Sequence, residues 1–284
     1  MHTRRDFLRY SATGLAALGL QRFLYADTAH RPLGVQLYTV RTLAEKDLAS
    51  VLAQIHQIGY QEVETYWNVY SHPAKELRQM ITDHGLQVPS GHFDYEGLEG
   101  KLEYAKELGV EFVVCPMLPK SMQNSLDAFK KAADQFNHWG EQVKNLGMQF
   151  AFHNHNYEFQ HFGSTTGYDT LLTKTDPKLV SFEMDCYWIT QAGLNPVTML
   201  EQHADRIRML HLKDRRRGFP TSQHLGDAAE HFTEVGTGTI DYKQILAVAQ
   251  RQGIKHTFVE QDSTTIPAME SLRVSYQNLE KLMA

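Results

Sequence analysis

The stretch Gln149-Phe150-Ala151-Phe152-His153-Asn154-His155 decides how the chain is read. Its apolar middle is too short for a stable helix and reads as a strand buried on both faces. Two histidines sit two residues apart at its C-terminal end, and the strand period turns them to one face. Just before it, Leu126–Asn145 has helical spacing and stops near Gly147, a residue suited to a left-handed helix terminus.

Moving outward, the same unit recurs. Apolar runs predict strands at Leu33–Thr39, Glu62–Trp67, Gln87–Asp94, Phe112–Leu118, Gln149–His155, Val180–Trp188, Ile207–Lys213 and His256–Gln261. Between them, helical patterns cover Leu48–Ile55 before Gly59, Ala74–His84 before Gly85, and Gly97–Leu108 before Gly109. Further patterns cover Tyr242–Gln252 before Gly253 and about Pro267–Leu282. Strand–helix alternation implies a parallel sheet with its helices outside. Eight such units predict a (β/α)8 TIM barrel in a single α/β domain over residues 30–284. The rival is a doubly wound open sheet, which would normally carry a glycine-rich phosphate loop after an early strand. Here the first strand runs into Tyr38-Thr39-Val40-Arg41.

Composition narrows the function. The chain has 284 residues, 42% hydrophobic and 21% charged, with a net charge of −5. These values exclude a disordered or fibrous chain. The acidic balance argues against nucleic-acid binding, which needs a basic footprint. Two cysteines, Cys115 and Cys186, cannot form a disulfide framework and read as buried small side chains. Fifteen histidines invite a search for metal ligands and acid–base groups.

The N-terminus opens Thr3-Arg4-Arg5-Asp6-Phe7-Leu8-Arg9, followed by a mildly apolar run from Tyr10 to Leu20. A basic region before a short apolar run reads as an export signal, and the paired arginines resemble a twin-arginine leader. The run is too short to span a membrane. Residues 1–29 are therefore expected to address the chain to the periplasm.

Chemistry in such barrels gathers at the C-terminal strand ends. Those ends carry Gln36, Glu64, His92, His153, His155, Glu183, Asp185, His211, Lys213 and Glu260, with Glu158 close behind. Carboxylates and a lysine inside apolar strands are costly unless paired or liganded. Several around one pore point to a divalent cation.

These residues resemble the sugar phosphate isomerase/epimerase superfamily, also called the xylose isomerase-like TIM barrel. The resemblance rests on Leu33-Gly34-Val35-Gln36-Leu37-Tyr38, Gly59-Tyr60-Gln61-Glu62-Val63-Glu64, Met184-Asp185 and His211-Leu212-Lys213-Asp214. It extends to Val235-Gly236-Thr237-Gly238, Ile240-Asp241-Tyr242 and Phe258-Val259-Glu260. It implies one divalent metal ion held by residues from strands five to eight. Asp185, His211 and Glu260 match three of the four ligand positions, and His153 falls where the family has a glutamate. The implied metal set is His153, Asp185, His211 and Glu260, with His155 as an alternative to His153. The added nitrogen favours Mn, Fe, Co or Zn over Mg.

The resemblance also implies proton abstraction beside a sugar carbonyl. Glu260 or Glu158 is expected as the base and His155 as the acid, while Gln36, Glu64, His92 and Lys213 bind substrate hydroxyls. A liganded His153 cannot serve as a second base, so a one-base isomerisation or an elimination fits better than two-sided epimerisation. Exported members of the superfamily include lyases that release the aglycone from 3-keto-glycosides. The expected partner is therefore a neutral small-molecule sugar or glycoside. Two other classes compete: a sugar-binding barrel without catalysis, and a multi-metal phosphodiesterase. The loop from Arg215 to Glu234 includes Arg215-Arg216-Arg217, which reads as an anion site, a contact in a homo-oligomer, or a solvated charge run.

Overall fold

The computed structural model describes residues 31–227 and 231–284. The expected leader, residues 1–29, lies outside them. Eight parallel strands close into a barrel. They are β1 (Leu33–Gln36), β2 (Glu62–Thr65), β3 (Gln87–His92), β4 (Phe112–Cys115), β5 (Gln149–His153), β6 (Val180–Asp185), β7 (Ile207–Leu212) and β8 (His256–Val259). Each strand pairs with its neighbour in sequence, and β8 closes on β1 through Val35 and Val259.

The helices that pack outside are α1 (Arg41–Ile58), α2 (Ala74–Asp83), α3 (Leu102–Leu108) and α4 (Leu126–Asn145). They continue with α5 (Gly167–Lys174), α6 (Cys186–Gln191), α7 (Pro196–Gln202), α8 (Tyr242–Arg251) and α9 (Ala268–Met283). No helix among the described residues is long and apolar enough to cross a membrane. Cys115 and Cys186 are buried and unpaired.

All eight strands begin where the apolar runs predict, but each ends one to three residues early. The missing tails have left the ladder to form the barrel mouth. Leu37–Val40 and Trp67–Ser71, for example, are turns of 3-10 helix. The sixth strand, predicted to reach Trp188, shows what ends such a run. It stops at Asp185, whose side chain caps α6 by accepting from Trp188 N at 2.8 Å. An aspartate at a helix N-cap satisfies an otherwise unpaired backbone donor.

The barrel interior follows strand alternation. Phe112, Val114, Ala151, Met209 and Phe258 form a buried apolar plug. Two residues further along their strands, Ala151, Met209 and Phe258 give way to His153, His211 and Glu260. Gly34 belongs to the same layer, where a Cβ would run into the Phe258 ring. The register sets His153 beside Glu183 and Asp185 beside His211. The polar groups thus form a ring directly above an apolar floor.

Candidate active site

The expected metal set comes together. One ligand atom from each of His153, Asp185, His211 and Glu260 lies within 4.8 Å of all the others. All four residues are buried. A second set, His92, His153, Glu183 and His211, meets the same limit and shares both histidines with the first. The two sets use different sides of the shared rings. His153 Nδ1 faces Glu183 Oε2 at 3.0 Å, and its Nε2 faces Asp185. His211 Nε2 faces Glu64 Oε2 at 2.6 Å, and its Nδ1 faces Glu260 Oε2 at 2.8 Å.

This arrangement favours the first set as a metal seat. Glu183 Oε2 already lies at hydrogen-bond distance from His92, His153 and, at 3.2 Å, His211, so the inner nitrogens are engaged. The outer set keeps one oxygen outside the hydrogen-bond network: Asp185 Oδ2 is buried and faces the Lys213 ammonium at 3.2 Å and His153 Nε2. Carboxylates on the far side of metal-binding histidines fix the tautomer and ring orientation, and Glu183 and Glu64 stand there. A mixed nitrogen and oxygen set of this kind fits Zn, Mn, Fe or Co.

Charge in the ring is finely partitioned. Burial would lower His211, but the Glu183 and Glu64 carboxylates outweigh it and hold the imidazole well above its ordinary value. His92 follows the same pattern and is pushed up to about 9. Burial drives His153 well below its ordinary value, helped by His211. Burial lifts Asp185 to about 6 against the pull of Lys213. For Glu260 the balance reverses: burial raises it, but the Lys213 ammonium and His211 hold it far below the carboxylate range. Lys213 Nζ lies 2.6 Å from Glu260, 2.9 Å from Asp262 and 3.2 Å from Asp185.

The remaining expected residues separate by depth. His92, His155, Lys213 and Glu260 line a cavity of about 700 Å³ that opens above the ring. Gln36 and Glu64 lie beneath it. Gln36 donates to Glu64 Oε2 at 2.7 Å, and Glu64 in turn receives His211 and Ser90. Glu64 thus braces His211 directly, and Gln36 braces Glu64. Glu158 also misses the cavity lining. It sits behind His155, accepting from His155 N at 3.0 Å, and burial raises it to about 8.

His155 is not in either metal set; its ring stands 5.1 Å from that of His153 and 5.1 Å from Trp188. Burial and Lys213 push it well below its ordinary value, and its Nδ1 is buried without a hydrogen-bond partner. The ring is therefore neutral, with a lone pair that can take a proton, and the same shift makes it a weak base that gives a proton up readily. Glu260, held anionic by Lys213, is correspondingly a poor base and a good ligand.

Arg215 does not form an anion site. It is buried, and it donates to Gln191 Oε1, Phe219 O and Pro220 O, which fastens the long loop. Arg216 donates to Thr265. Glu183, placed at the strand ends by the sequence but given no role there, stands at the centre of the ring, with Oε2 facing His92, His153 and His211. Its signal was present, since it shares a strand face with Asp185.

A closed barrel with this ring at its C-terminal mouth defines a (β/α)8 protein with a candidate metal centre. The chain belongs to the xylose isomerase-like TIM barrel family, whose sequence pattern matches residues 52–277. It is similar to the inosose dehydratase of Lacticaseibacillus casei, with 26% identity over 226 residues, covering 69% of this chain and 75% of that one. The inosose dehydratase of Clostridium beijerinckii is 24% identical over 235 residues, covering 72% and 78%. A crystal structure of a sugar phosphate isomerase/epimerase from Parabacteroides distasonis superposes with a TM-score of 0.73 at 25% identity, covering 89% and 98%. An IolI protein with a bound zinc atom shares the fold, with a TM-score of 0.67 at 18% identity over 89% of this chain and 98% of that one.

Proposed function

We propose that this protein is a divalent-metal-dependent sugar lyase that removes a proton beside a carbonyl and expels the group on the next carbon. The observation that carries the reading is the meeting of two features in one cavity. Four donors converge; two of them, His153 and Glu260, line the cavity, and the neutral His155 lines it beside them. His153, Asp185, His211 and Glu260 would hold the cation, which supplies Lewis-acid polarisation of the substrate carbonyl and an adjacent hydroxyl.

The chain's own residues do the rest. His155 takes the proton from the carbon beside the carbonyl, the C–H electron pair becomes the new double bond, and the leaving oxygen departs with the C–O pair and takes the proton back from His155. The Lys213 ammonium, lining the same cavity, offers a fixed positive charge to the developing oxyanion. Glu158 holds the His155 backbone and so fixes where the ring stands. The inosose dehydratase relatives support elimination over the isomerase and epimerase chemistry also found on this fold. Lys213 is the sole lysine or arginine among the described lining residues, and three carboxylates already engage it. That charge balance supports a neutral sugar or 3-keto-glycoside over a phosphorylated one. Export through a leader in residues 1–29 belongs to the same proposal, and N-terminal sequencing of the protein recovered from the periplasm tests it.

The functional test is incubation of the Mn- or Zn-loaded protein with oxidised and unoxidised glycosides in deuterated water. Release of the aglycone from the oxidised glycoside alone, lost in His155→Gln and after chelation, is the expected result. Recovery of an isomer or epimer with no released group would sink the lyase reading.

A further inference from the structure

The cavity changes character with depth. Its floor is the buried ring of His92, His153 and Glu260. Its outer wall is aromatic and apolar. Trp67 and Met117 are 37% and 39% exposed, two of the few large hydrophobic side chains left in solvent among the described residues, and both line it. Tyr38 and Tyr95 join them. Trp67 is held in place, with its ring 5.7 Å from that of Tyr38 and 5.5 Å from that of Tyr66, while the Arg41 guanidinium covers Tyr38 at 4.1 Å. Exposed aromatic rings fixed beside a deep polar site form a surface for stacking a flat partner. The volume of about 700 Å³ exceeds what one sugar ring on the floor would fill.

We infer that the outer half of the cavity is an aglycone subsite for a neutral, hydroxylated aromatic ring. This rests on the proposed glycoside substrate and names its second half. The flat ring answers Trp67, Tyr38 and Tyr95. Its hydroxyls answer Asp94 and Glu96, the carboxylates that flank Tyr95 and also line the cavity. Those acids exclude an anionic aglycone, since burying a carboxylate or phosphate beside them would be repulsive. The third nearby acid, Asp262, is already paired with Lys213.

The test separates binding from turnover. Unoxidised glucosides lack the carbonyl that the reaction needs, so calorimetric titration of Zn-loaded protein reads recognition alone. The 4-hydroxyphenyl glucoside is expected to bind about tenfold tighter than the methyl glucoside of the same anomer. Trp67→Ala should bring that ratio close to one, and Trp67→Phe should restore most of it. Circular dichroism confirms that each variant is folded. Equal affinities in the wild-type protein, absence of measurable binding by either glucoside, or a ratio untouched by Trp67→Ala would overturn the inference. So would tighter binding of cellobiose than of the aryl glucoside, which would make the wall a sugar subsite. A failed lyase reaction on oxidised methyl glucoside would count against the proposed reaction and leave the aryl preference standing.

Discussion

Single side chains divide the labour by atom. His211 presents one nitrogen to Glu260 and the other to Glu64, so a candidate ligand is also braced from behind. Glu158 shows a different economy. It is fully buried, one oxygen holds His155 N, and the other has no hydrogen-bond partner. Burial raises it from an ordinary 4.5 to about 8. The folded state then keeps a proton that the unfolded chain releases once the pH exceeds about 4.5. The contribution of Glu158 to stability therefore falls as pH rises from there toward 8, by about 1.4 kcal/mol per pH unit. In Glu158→Gln, which keeps an acceptor for His155 N and cannot ionise, this slope should flatten. Urea unfolding at pH 5, 6, 7 and 8 in the presence of chelator reads both slopes, and identical slopes would refute the assignment.

At the scale of elements, the segment after β7 explains a motif that sequence comparison offers without a reason. Asp214 is buried, and its two oxygens accept from the backbone N–H groups of Arg215, Gly236, Gly238, Thr239 and Ile240. Gly238 must be glycine because a Cβ there would strike the Asp214 carboxylate. The cradle ties the entry of α8 to the end of the strand that carries His211 and leads into Lys213. Asp214→Ala strands five donors and should cost about 3 kcal/mol or more. Gly238→Ala should cost about 1–3 kcal/mol through the same contact. Denaturant midpoints measured against wild type check both values. If Gly238→Ala proved neutral, the close approach would not be what the glycine serves.

Across the whole molecule, the strands were legible because each apolar run is short, β-rich and closed by polar residues. Where they end was less legible. A backbone that leaves the ladder keeps the same side chains, so Tyr38 and Trp188 still read as strand. The short helices α5, α6 and α7 lacked a clear pattern, since helices of six to eight residues show barely two turns of periodicity. At the site, alternation brought His153, Asp185, His211 and Glu260 to one mouth. It could not rank depth, so Gln36 and Glu64 were expected against substrate rather than beneath His211. The cap of α6 has a last consequence. Asp185 spends Oδ1 on Trp188 N and turns Oδ2 toward Lys213 and His153, while the Trp188 indole lies beside His155 and 5.8 Å from the Lys213 ammonium. The protein thus carries its own optical probe. Titrating Zn or Mn into the chelated protein should shift its intrinsic emission with one saturable transition, and Trp188→Phe should silence that response while Trp67→Phe keeps it.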